Sequence, residues 1–241
     1  MGEQPDDKTK LPATAKKADV DAFLQRVAAM PSAKPATGRG RLIFAMDATA
    51  SREPSWDRAC KLQGEMFEVT AALGGLDVQL VFYRGFNECK SSRWLSTAAA
   101  LHGAMRAVFC LGGETQIERV LRHALKEAET QKIGAVVFVG DAMEEKLDTL
   151  CARAGELGLR GVPVFLFHEG DDSTAAKAFK EIARLSRGAY CRFDAGSAHE
   201  LRTLLAAVAI YAAGGHKALA AYGKSNGGAA LTLARQLGGT E

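Results

Sequence analysis

The chain has 241 residues, 47% of them hydrophobic and 24% charged, with a formal net charge of +3. That balance suits a globular chain with a full core, and it is too weakly basic to argue for nucleic acid or an anionic membrane. The start, MGEQPDDKTK, lacks the apolar core of a secretory leader, and the best apolar stretch, Leu204 to Ala213, is too short to span a bilayer.

In chain order, residues 1 to about 16 read as a disordered polar tail. From Asp19 to Met30, the residues Val20, Phe23, Leu24, Val27 and Met30 recur at helical spacing and predict an amphipathic helix. PSAKPATGRG, residues 31–40, is a linker. Leu42 to Met46 is an uninterrupted apolar run, the pattern of a strand buried on both faces. Asp47 ends it, hydroxyls follow at Thr49 and Ser51, and Pro54 marks the first turn of a helix expected over Ser55 to Leu73. Gly74-Gly75 stops that helix. Val78 to Tyr83 predicts a second strand, Arg84 to Trp94 a turn with a short edge strand, and Thr97 to Val108 an alanine-rich helix.

Beyond the Gly112-Gly113 hinge a helix is expected over Thr115 to Gln131, with Thr115 and Glu118 spaced as a capping box. Ala135 to Val139 is a second unbroken apolar run, closed by Gly140-Asp141. A helix over 144–157 follows, then a strand over Val162 to His168, and a helix over 173–186 capped by Asp171-Asp172-Ser173. A strand over Ala189 to Phe193 comes last, and Ser197-Ala198-His199-Glu200 opens a final helix that reaches Tyr211. Gly-Gly pairs then punctuate the remainder, with helical spacing again at Ala230, Leu233, Ala234 and Leu237. Strands alternating with helices imply an α/β fold with a doubly wound, mostly parallel sheet. The division is a tail, helix and linker (1–40), one α/β domain (41–211) and a glycine-punctuated helical extension (212–241). The five cysteines are scattered and without CxxC spacing, which argues against zinc and disulfides and for a cytoplasmic location.

Ligands of open α/β sheets bind in the loops after the carboxyl ends of strands. If the two unbroken runs are neighbours, Asp47 and Asp141 emerge side by side, with Thr115 arriving from the next loop. Two carboxylates and three hydroxyls, all oxygen, suit a hard cation such as Mg²⁺ or Mn²⁺. Asp47 and Thr115 also have a plain use as helix caps, and a hydroxyl can cap and still offer a lone pair.

DATAS, GGET and VFVGD, taken in order, resemble the von Willebrand factor A (vWA, integrin I-like) domain and its metal-ion-dependent adhesion site. Asp47, Thr49, Ser51, Thr115 and Asp141 fall on that motif, with Thr49 where the family usually has serine. The resemblance implies strand order 3-2-1-4-5-6 with one short antiparallel edge strand. It also implies a divalent cation (Mg²⁺, or Mn²⁺ or Ca²⁺), held directly by Thr49, Ser51 and, in one state, Thr115, and mainly through waters by Asp47 and Asp141. An Asp or Glu of a partner protein would complete the coordination. Intracellular members of the family often serve multiprotein assemblies, some alongside AAA-type ATPases. No catalysis is expected. The rival reading is a phosphatase of haloacid dehalogenase type, to which Gly140-Asp141 with Glu144-Glu145 is similar. Those enzymes need a second Asp two residues after the nucleophile, and Thr49 stands there; proton transfer by such an acid is worth about 10²–10⁴-fold. A structural vWA domain without metal is the third possibility.

Overall fold

A computed structural model describes residues 22, 23, 25–27, 39–71, 74–193 and 198–225. The predicted tail, the linker up to residue 38 and the helical spacing beyond residue 225 lie outside the described residues. Six strands form one sheet: β1 (Gly40–Asp47), β2 (Leu76–Arg84), β3 (Glu88–Ser91), β4 (Ala135–Gly140), β5 (Val164–Glu169) and β6 (Ala189–Phe193). Their order is β3-β2-β1-β4-β5-β6, and every neighbour pair is parallel except β2 with β3. This is the order and the single antiparallel edge that the sequence led us to expect.

The helices are α1 (Glu53–Leu62), α2 (Gly64–Thr70), α3 (Ala98–Arg106), α4 (Ile117–Thr130), α5 (Leu147–Leu159), α6 (Ser173–Leu185) and α7 (Ala198–Ser225). They cover both faces of the sheet. Leu42, Phe44 and Met46 of β1 point into one core with α1, α2, α3 and α7, whereas Ile43 and Ala45 point into the other with α4, α5 and α6. A strand that must satisfy two apolar layers has no room for alternation, which is why its sequence is an unbroken apolar run. Among the described N-terminal residues, Phe23 and Val27 are buried, and the Phe23 ring meets those of Phe165 and Phe167 at 6.0 and 5.4 Å. That segment therefore packs on the sheet.

Two helices differ in kind from expectation. The single helix expected over Ser55 to Leu73 is two, separated at Gln63, where Gly64 weakens the helical run. The last helix, expected to end at Tyr211, continues to Ser225 with a break at Gly215, whose φ of 68° suits glycine. No helix among the described residues is long and apolar enough to cross a membrane.

Candidate metal centre

The chain leaves β1 for β2 on one side and later returns to β4 on the other, so the crevice between β1 and β4 is the switch point of the sheet. Met46 pairs with Val139, and hence Asp47 and the Gly140-Asp141 turn leave the sheet side by side. A cleft of about 240 Å³ opens there, with Asp47, Thr49, Ser51, Thr115 and Asp141 all in its lining, beside Gly112, Gly113 and Glu144. The five residues picked from sequence are thus brought together.

Their spacing suits a small hard ion. Thr49 Oγ1 and Ser51 Oγ stand 3.4 Å apart, and Ser51 Oγ donates to Asp141 Oδ2 at 3.1 Å. Adjacent ligands in an octahedron with bonds of 2.0–2.1 Å are about 2.9 Å apart, so these oxygens need move little to share one cation. Among the described residues no group of three or more His, Cys, Asp or Glu gathers as a metal site. A cation here therefore depends on the hydroxyls, which disfavours zinc chemistry of the His/Cys kind.

Asp47 is fully buried. Its Oδ1 accepts from Thr49 N at 2.7 Å and its Oδ2 from the Tyr83 hydroxyl at 3.0 Å. Burial pushes its pKa above the usual carboxylate value, against the opposing pull of the Thr49 hydrogen bonds. The Tyr83 hydroxyl is itself held well above its ordinary range by burial and then by the Asp47 charge, so it remains a donor. A nearby cation would offset what burial costs this carboxylate. Tyr83 was not among the sequence candidates, although it pairs with Asp47 across β1 and β2.

Thr115 corrects the sequence reading. The helix begins at Ile117, and Thr115 does not cap it. Instead Thr115 Oγ1 accepts from Glu144 N at 3.0 Å, while Thr115 N donates to Glu144 Oε2 at 2.9 Å. The free amides of Ile117 and Glu118 are taken by Glu145 from across the cleft, at 2.6 and 2.8 Å. A carboxylate at a helix N-terminus suits its dipole. The Thr115 loop is further seated by Leu111 N on Ala48 O at 3.0 Å and Glu114 N on Gly85 O at 3.2 Å. A side chain at Gly113 would fall 2.1 Å from the Gly85 carbonyl oxygen, so this close approach requires glycine. The same loop exposes Phe109 and Leu111, and the β2–β3 turn exposes Phe86.

Arg52, next to Ser51, is the second residue that the sequence did not single out. Its side chain is 2% exposed, with Nη1 3.9 Å from Asp141 Oδ2 and Nη2 2.5 Å from Glu169 Oε2. Glu169 also accepts from Ser55 Oγ and pairs with Arg58 at 3.3 Å. A guanidinium fixed behind Asp141 shares its charge and lowers what the cleft offers a cation. His168 is wholly buried, its Nδ1 2.9 Å from the Tyr190 hydroxyl and its ring 5.3 Å from that of Phe179; it belongs to the core.

No sequence-family profile matches the chain, and no curated protein matches it by sequence. Solved structures do. The SpRpn10 VWA domain superposes with a TM-score of 0.54 at 14% identity, over 69% of this chain and 94% of that one. This is a von Willebrand factor A fold. Proximal thread matrix protein 1 from the mussel byssus, with a zinc-occupied MIDAS motif, gives 0.55 at 16% identity, over 76% of this chain and 48% of its own. The PilB minor pilin of Streptococcus sanguinis gives 0.53 at 10%, over 73% of this chain and 62% of its own. At these identities the likeness concerns the vWA fold, and the chain spans about half to two thirds of the latter two proteins.

Proposed function

We propose that the chain is a divalent-cation-dependent protein-binding module, in which the carboxylate of a partner's Asp or Glu completes the metal coordination. The observation that carries this reading is the convergence of Asp47, Thr49, Ser51, Thr115 and Asp141 on one cleft, with Ser51 Oγ 3.4 Å from Thr49 Oγ1 and 3.1 Å from Asp141 Oδ2. Thr49, Ser51 and Thr115 would hold Mg²⁺ or Mn²⁺ through their hydroxyls, and Asp47 and Asp141 through bridging waters. Bound there, the cation supplies a Lewis-acid contact for an oxygen ligand. The protein's part is to hold the hydroxyls, position the Asp47 carboxylate between Thr49 N and Tyr83, and leave one side of the cleft open. Exposed Phe109, Leu111 and Phe86 on neighbouring loops support a protein partner, because apolar surface beside a polar site marks interfaces. An intracellular assembly, in a reducing cytoplasm and beside an AAA-type ATPase, is the setting we favour. Five scattered cysteines without CxxC spacing support the compartment, and the ATPase rests on likeness of fold alone.

The phosphatase reading is weakened by Asp47 itself. It is buried, both its oxygens accept hydrogen bonds, and Thr49 supplies a hydroxyl where a general acid is required. A second reading, a structural vWA domain without metal, is favoured by Arg52, a resident cation against Asp141. Titration calorimetry with Mg²⁺ and Mn²⁺ separates the two: one saturable site is expected, lost in Asp141→Ala. Absence of binding at millimolar metal would leave the structural reading standing.

A further inference from the structure

At the β3 edge of the sheet a second cleft, of about 310 Å³, lies between β3 and α4. Its charged lining from the helix is basic, Arg119, Arg122 and Lys126, with no carboxylate among the described lining residues; Lys90 of the strand pairs with Phe82, so its side chain lies on the other face of the sheet, on Glu88. The helix residues fall at i, i+3 and i+7, one stripe about 10 Å long. That length is comparable to the four residues of β3, about 13 Å. Little neutralises the charge. Arg119 spends both Nη atoms on Asn87, on its backbone and side-chain oxygens at 2.8 Å each, and these carry no charge. Arg122 is 3.9 Å from Glu118, which already takes Arg153 at 3.2 Å. Lys90 and Arg84 share the single carboxylate of Glu88, each at 2.8 Å.

The strand beside this stripe is the outermost of the sheet. Ser92 N bonds Leu80 O at 2.8 Å and Lys90 pairs with Phe82, so Glu88, Lys90 and Ser92 turn their backbone groups towards β2. By the alternation of an antiparallel ladder, the N–H and C=O of Cys89 and Ser91 face outward. A strand edge with no further strand on it among the described residues, beside a row of cations, asks for backbone partners and negative charge together.

We propose that this edge binds an extended acidic segment of a partner protein, which adds to β3 as a further strand and lays its Asp or Glu side chains along Arg119, Arg122 and Lys126. A small anion is a poorer fit, because the cations are strung out in a line and the N-terminus of α4 is already taken by Glu145. Single-stranded nucleic acid would want large aromatic rings for stacking, and no Phe, Tyr or Trp lines the cleft among the described residues. Burial pushes the Cys89 thiol up to about 11, so it is no nucleophile. A short strand carrying lysine is a common guard against stray pairing, but that guard does not call for a basic stripe on the helix behind it.

The test uses the full chain and a labelled short peptide that alternates glutamate with valine, read by fluorescence anisotropy and by amide chemical shifts. The expected result is saturable binding that weakens with salt and shifts the Cys89 and Ser91 amides. Arg122→Glu with Lys126→Glu should weaken it about ten-fold or more, and Asp141→Ala should leave it unchanged. A peptide with proline at alternate positions, unable to donate to the edge, should bind at least about ten-fold more weakly. No saturable binding, undisturbed Cys89 and Ser91 amides, equal binding by the proline peptide, or stronger competition by single-stranded DNA or inorganic phosphate would each overturn the proposal.

Discussion

The two clefts are built on opposite plans. In the cleft between β1 and β4 almost every polar atom is already committed: Asp47 to Thr49 and Tyr83, Ser51 to Asp141, Thr115 to Glu144. In the cleft beside β3 Arg119 is fixed on uncharged oxygens of Asn87, and Arg122 is more than half exposed. The first arrangement fixes a few oxygens at fractions of an ångström, which a small ion demands. The second presents charge over a length, which suits a chain. Substitutions at Gly113 and Thr115, which seat the loop of the first cleft, should accordingly disturb stability and function together, whereas those in the second should disturb function alone.

The largest effect expected separates the clefts outright. Mg²⁺ at a hundred times its dissociation constant should stabilise the protein by about 2.7 kcal/mol, read as a rise in melting temperature. Asp47→Ala and Asp141→Ala should abolish that rise. Arg122→Glu should leave it intact, and a rise that vanished there would erase the contrast. Next comes Gly113→Ala, where the new methyl must displace the Gly85 carbonyl. Overpacking of this kind costs about 1–3 kcal/mol in chemical denaturation, and metal binding should fall with it.

Thr115 gives a comparable effect with a finer reading. Thr115→Ala leaves the Glu144 amide without its acceptor, at about 1–3 kcal/mol, whereas Thr115→Ser should restore both stability and metal affinity. If the alanine variant binds Mg²⁺ as wild type does, the hydroxyl serves the loop only.

A smaller effect follows from Asp47 and pH. Its raised pKa means the folded state holds the proton more firmly than the unfolded chain. The stability this contributes is fully present below the ordinary value of 3.8 and is lost as pH rises through the raised value. Without metal at neutral pH, the buried charge is then a net cost. Asp47→Asn should match or exceed wild type in metal-free melting temperature at pH 7, and that advantage should shrink on acidification. A lower melting temperature at every pH would mean that the charge is fully compensated by its hydrogen bonds. Smallest of all, Arg122→Glu alone should alter stability by no more than about 0.5 kcal/mol in denaturant titration.

How much of this could be read from sequence depended on how far apart the partners lie. Asp47 and Asp141 were legible because each closes an unbroken apolar run, and such runs predict central parallel strands whose ends form a crevice. The strand order and the antiparallel edge followed from the resemblance those motifs support. Thr115 was found for the right cleft with the wrong local role, since its spacing to Glu118 promised a capping box. Glu145, from the far side of the cleft, had taken those amides, and local spacing does not report a competitor brought by the fold. Tyr83 was invisible for a similar reason: a tyrosine ending an apolar strand reads as core until the β1–β2 register sets it opposite Asp47. Arg52 reads as a solvated loop charge, and only the approach of β5 with Glu169 accounts for its burial. The basic stripe of α4 was not singled out in the sequence, because its meaning depends on which strand forms the edge.

The most direct test of the account is calorimetric titration of Mg²⁺ or Mn²⁺ into metal-free wild type and Asp141→Ala, with circular dichroism to confirm equal folding. The account predicts one saturable site in wild type and none in the variant at the same metal concentrations. Equal heats from both proteins, or no saturation in either up to millimolar metal, would contradict it and leave Arg52 as the cleft's resident cation.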